Sequence, residues 1–155
     1  MLQQLVADGS LWPVNGTAFA VTPRLREAYA EGDDDELAEV ALREAALASL
    51  RLLAGGGAGD VRPRRAVLEA EVTDAAYRPD LDDAVVRLDA PITMDQVVAA
   101  YVDNAGAEPA VTAAIEAIDA ADLGDEDADL IVGDAQDHDL AWYATQELPF
   151  LLDLL

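Results

Sequence analysis

Between residues 34 and 90 the spacing of apolar side chains changes from the period of a helix to that of a strand, so the chain must fold as a mixture of both. Leu37, Val40, Ala41, Leu47 and Leu50 recur along one side of a long helix. Asp33 or Asp34 can cap its first turn, with Glu36 placed for a capping box. From Arg65 to Val72 the period becomes two. Ala66, Leu68, Ala70 and Val72 take the covered face, while Arg65, Glu69 and Glu71 are expected on the solvent face, with Val67 the exception. After a polar turn around Pro79 to Asp83, the run Ala84 to Ala90 repeats the alternation, and the two runs are expected to pair antiparallel.

The flanking segments carry their own signals. Residues 2–8 read as a short amphipathic helix ended by Gly9. Thr17 to Val21 form a short strand, and Thr22-Pro23 supplies an N-cap and a first helical residue for a helix that stops by Gly32. Gly55 to Gly59 suit a surface loop. Val97 to Val102 suit a central strand covered on both faces, with a helical reading still open. A helix is predicted from Glu108-Pro109 to about Ala121, then an acidic loop from Asp122 to Asp129 and a brief strand at Leu130 to Val132. A last helix is expected from Asp137 or Asp139 to Glu147, interrupted by Pro149. The expected fold is one α+β domain over residues 1–155, with an apolar C-terminal tail at 149–155. Its sheet is mixed, mainly antiparallel, with four or five short strands and helices packed mainly on one face.

Charge narrows the partners. The chain carries 32 Asp and Glu against 9 basic residues, all arginine, for a net charge of −23. Such a surface repels phosphate backbones and anionic lipid, so no direct nucleic-acid or membrane binding is expected. Mimicry of DNA by the acids themselves is an alternative. Apolar residues at 52% and a mean hydropathy of +0.10 are enough to drive folding. With no cysteine there is no thiol nucleophile, disulfide or zinc thiolate site. No run approaches the roughly 20 apolar residues of a membrane span, and the first residues lack a leader pattern, so a cytoplasmic location is the expectation.

No nucleophile elbow, phosphate loop, dinucleotide fingerprint or zinc-protease motif occurs, and no catalytic residue, cofactor or metal site is assigned. His138, between Asp137 and Asp139, has no nucleophile motif beside it and names no reaction. The acids from Asp125 to Asp129 begin like a calcium loop, but Leu130 and Gln136 stand where glycine and a bidentate glutamate are needed. The best ligand candidates are Arg24 and Arg26, at a helix start where an anion can bind, and Tyr143 with Glu147, which can line a small pocket. The plainer reading pairs these arginines with the chain's own carboxylates and packs Tyr143 inward. The tail Pro149 to Leu155 either closes over the chain's own core or offers an apolar patch to a protein partner or a second copy. A non-catalytic binding or protein-interaction module is the leading expectation. A small enzyme or ligand sensor with an anion pocket, and an acidic DNA-mimic inhibitor, are the alternatives.

The blocks TAFAVTPRLREAYAEGDDDELAEVAL (residues 17–42), VVAAYVDNAGAEP (97–109) and GDAQDHDLAWYATQELP (133–149) resemble an uncharacterised family of small acidic actinobacterial proteins. The resemblance implies no activity and no site residues. It does imply a short strand ahead of the first helix that this sequence is expected to lack, and an uncovered sheet edge would favour self-association.

Overall fold

The computed structural model describes residues 2–55 and 62–154. Helix α1 (Leu2–Asp8) ends at Gly9, whose φ of +73° allows the chain to turn into β1 (Ser10–Leu11). A single helical turn leads to β2 (Thr17–Phe19). Helix α2 (Pro23–Ala28) starts as its sequence dictates, with the Thr22 hydroxyl accepting from the Leu25 N–H at 3.1 Å and Pro23 in the first turn. Helix α3 (Asp34–Gly55) starts where the Glu36 N–H meets the Asp33 carboxylate at 2.8 Å. Most of the glycine loop expected at 55–59 lies outside the described residues. The chain then forms β3 (Ala66–Ala70), β4 (Ala75–Tyr77), β5 (Val85–Leu88), β6 (Ile92–Thr93), β7 (Val97–Val102), α4 (Glu108–Asp122), α5 (Glu126–Gln136), β8 (Ala141–Ala144) and α6 (Leu148–Leu154).

The class is α+β, and among the described residues every strand pairing is antiparallel. Their strands divide into three small sheets, β1-β6, β2-β5-β4 and β3-β7-β8. The register of β3 with β7 shifts between Glu69 and Ala70, which stand opposite Ala99 and Val97, so Val98 is the extra residue of a bulge in β7. The two alternating runs do not pair with each other. The turn at 78–85 closes on β4, whose Tyr77 stands opposite Val86, so β5 takes its nearest neighbour in sequence. β3 instead pairs with β7, which is central as expected.

Two further expectations are corrected. Residues 126–136 form one helix instead of a loop and a strand. Gly124, at φ +97°, ends α4, and the Asp125 carboxylate accepts from the Ala128 N–H at 3.0 Å. Glu126, Asp127 and Asp129 then lie in the first turn, where the helix dipole favours negative charge. Ala128, Val132 and Ala135 bury one face against α4. Residues 141–144 form a strand instead of a helix, because Ala141 to Ala144 complete the open edge of β7 with Tyr143 opposite Ala100. Pro149 accordingly sits in the first turn of α6, where its missing N–H costs nothing, and does not interrupt a helix.

One core joins Leu5, Leu11, Leu88, Val102, Leu148 and Leu151, so α1 and α6 lie over residues of β5 and β7. A second joins Leu50 of α3 to Val111 and Ile118 of α4 and Val132 of α5. A third and smaller cluster holds Leu25, Leu37 and Ala84. The turn before β2 is tight. Gly16 has φ +67°, and a Cβ there would stand 2.8 Å from the Leu88 carbonyl oxygen. Gly16→Ala is therefore expected to cost about 1–3 kcal/mol, read as a lowered urea midpoint; an unchanged midpoint would show that this turn relaxes freely.

Candidate functional site

Among the described residues, polar side chains gather around concavities at two places. The first is built on Arg65, which strand alternation alone would place in solvent. It is 1% exposed. Ala66 and Leu68 face the α1–α6 core, so Arg65 and Asp103 share the opposite face, and there α3 and the end of α5 cover them. The guanidinium grips the Asp103 carboxylate with two bonds, Nε to Oδ2 at 2.9 Å and Nη2 to Oδ1 at 2.8 Å. It also donates to the Gln136 side-chain oxygen and to the His138 carbonyl, each at 2.8 Å. The Arg65 backbone N–H adds a third bond to Asp103, and Gln136 passes the connection to the Arg43 carbonyl.

This cluster ties α3, β3, β7, α5 and the approach to β8 together. Beside it is a cavity of about 50 Å³, room for a water or two. Each nitrogen of the Arg65 guanidinium and each oxygen of the Asp103 carboxylate is bonded within the chain, so the cluster's role is to hold elements in register. His138 lines this cavity while exposed, and its backbone carbonyl makes the bond to Arg65.

The second concavity lies between α2 and the β4–β5 hairpin and measures about 240 Å³. That is below the about 300–1,000 Å³ of small-molecule pockets and suits one side chain of a partner better than a cofactor. Pro23, Val85, Pro79 and the Tyr77 ring supply apolar walls, and Tyr77 remains 59% exposed. Arg24, Glu27 and Asp83 supply charge. Thr22 fixes the two sides to each other, since its buried hydroxyl accepts from Leu25 and donates to the Asp83 carbonyl. Across the rim, Arg24 Nε lies 3.4 Å from Asp83 Oδ1, with the two side chains 62% and 40% exposed. A pair so wet contributes at most about 1 kcal/mol, so it opens readily.

The four residues singled out from sequence stand at two sheets. Arg24 lines the α2 cleft, whereas Arg26 pairs with Asp34 at 2.6 Å. Tyr143 packs against the core of α1 and α6. Glu147 turns back to accept from the Ala144 N–H at 3.1 Å, which caps the edge strand β8. Neither Tyr143 nor Glu147 lines either cavity. Tyr77 and Arg65 were missed. Tyr77 precedes a turn and carries no periodic signal, and Arg65 sits in an alternating run at a position that local sequence assigns to solvent.

Other titratable groups have local roles. Burial and the Glu69 carboxylate it donates to, at 3.2 Å, hold the Tyr101 phenol above its usual pKa, so it stays protonated. Arg51 holds the Asp122 carboxyl below its usual range through two hydrogen bonds. No helix is long and apolar enough to cross a membrane, among the described residues.

No curated protein matches the chain, and no solved structure does. The model of a family of unknown function, DUF6912, matches residues 1–152, which is nearly the whole sequence, and the chain belongs to that family.

Proposed function

We propose that the chain is a single cytoplasmic α+β domain that acts as a non-catalytic protein-interaction module, using the cleft between α2 and the β4–β5 hairpin. The observation that carries this reading is an open concavity of about 240 Å³ with a largely exposed aromatic ring on its wall and charged side chains on its rim. Exposed aromatic rings beside adaptable polar groups are the usual anchors of protein interfaces. An anion pocket for an enzyme or sensor is less well supported. The four residues do not converge: Arg24 lines the α2 cleft, Arg26 pairs with Asp34, and Tyr143 and Glu147 serve the core and an edge strand.

The test is affinity capture from the source cell at about 150 mM salt with three baits: the wild type, Tyr77→Ser in the cleft, and Phe150→Ser on the exposed face of α6. One protein retained by the wild type and by Phe150→Ser, and lost with Tyr77→Ser, is expected. Retention indifferent to Tyr77, or no retained protein at all, would sink the reading.

A further inference from the structure

The cleft carries two carboxylates, Glu27 and Asp83, against the single guanidinium of Arg24, and it belongs to a chain of net charge −23. Among the described residues Glu27 makes no ion pair, and Asp83 is engaged through one oxygen only. The Tyr77 ring lines the same cleft with more than half its surface open. An aromatic ring and two acids around one cleft can hold a cation, because the ring quadrupole attracts positive charge and the carboxylates accept its N–H groups. The volume fits one long side chain, and a planar guanidinium both stacks on a ring and forks onto a carboxylate, which an ammonium does not.

Resting on the interaction-module reading, we propose that the cleft takes an arginine side chain of a partner protein, its guanidinium stacked on Tyr77 and bonded to Glu27 and Asp83. Arg24 serves as the internal stand-in, held to Asp83 by a weak exposed pair that an incoming guanidinium displaces. The surrounding negative field raises the encounter rate of a basic partner at low salt.

The probe is the tripeptide acetyl-Gly-Arg-Gly-amide, titrated into the full chain at 150 mM salt and followed by NMR. Two control peptides replace arginine with lysine or with citrulline, which keeps the shape and loses the charge. Saturable shifts centred on Tyr77, Glu27 and Asp83 are expected, with citrulline at least tenfold weaker and lysine intermediate. Tyr77→Leu should weaken the arginine peptide by about three- to thirtyfold while Tyr77→Phe keeps it, since the ring face and not the hydroxyl makes the contact. Both substitutions fall on an exposed position, so the fold is preserved. Shifts spread evenly over the acidic surface, or equal binding after Tyr77→Leu, would overturn the proposal. Equal binding of citrulline and arginine at the cleft would overturn the charge preference while leaving the interaction module standing. A partner that fails to depend on Tyr77 in the capture experiment would remove the module itself.

Discussion

Replacing Arg65 by methionine is expected to destabilise the chain by about 3–5 kcal/mol, a large share of the 5–15 kcal/mol that holds a domain of this size together. The substitution keeps much of the volume and removes the charge. Asp103, fully covered, is then left without the two bonds that compensate its burial. The Gln136 oxygen and the His138 carbonyl lose their donor as well. In simple buried ion pairs, replacing both partners with apolar residues restores most of the stability. Here Arg65→Met with Asp103→Leu should recover only part of the loss, because the buried Arg65 backbone N–H also depends on the Asp103 carboxylate. Urea denaturation of the two variants decides the matter. A loss under 1 kcal/mol for Arg65→Met, or full recovery in the double variant, would show that the cluster does not clamp the sheet to the helices.

Truncating Leu148 to alanine should cost about 2–5 kcal/mol. Leu148 and Leu151 are 0% and 2% exposed and meet Leu5 of α1 and Val102 of β7 in one cluster, so the apolar tail packs on the chain's own core. Phe150, one turn face away and 72% exposed, provides the contrast. Phe150→Ala is expected to stay within about 0.5 kcal/mol of the wild type. Thermal melts of both variants test this, and similar losses at the two positions would mean that α6 is seated differently. A docked tail directs attention to the α2 cleft as the surface a partner meets.

Much of the local structure was legible because it depends on near neighbours. Thr22-Pro23 and Asp33 to Glu36 cap the helices that their spacing announced, since a cap needs only a side chain within three residues of the N–H it accepts. The central place of β7 followed from its continuous apolar run. The segments misread were those whose local signals were evenly balanced. Residues 126–136 carry both turn-like acids and an apolar run, and burial against α4 settled the helix. Residues 141–144 sit next to good capping aspartates, and the unfilled edge of β7 settled the strand.

The candidate site was legible in one residue. Arg24 stood out because a helix start announces itself, but Tyr77, Pro79, Asp83 and Val85 across the cleft come from a hairpin more than fifty positions away. Spacing and composition alone therefore account for the α+β class, the capped helices, the alternating strands and the surplus of negative charge. Folding in three dimensions settles which strands pair, that Arg65 turns from solvent into a bonded interior, and that Tyr77, Glu27 and Asp83 line one cleft. The physical reason is that hydrogen-bond partners and burial depend on surfaces brought together by folding, which no local pattern of residues records.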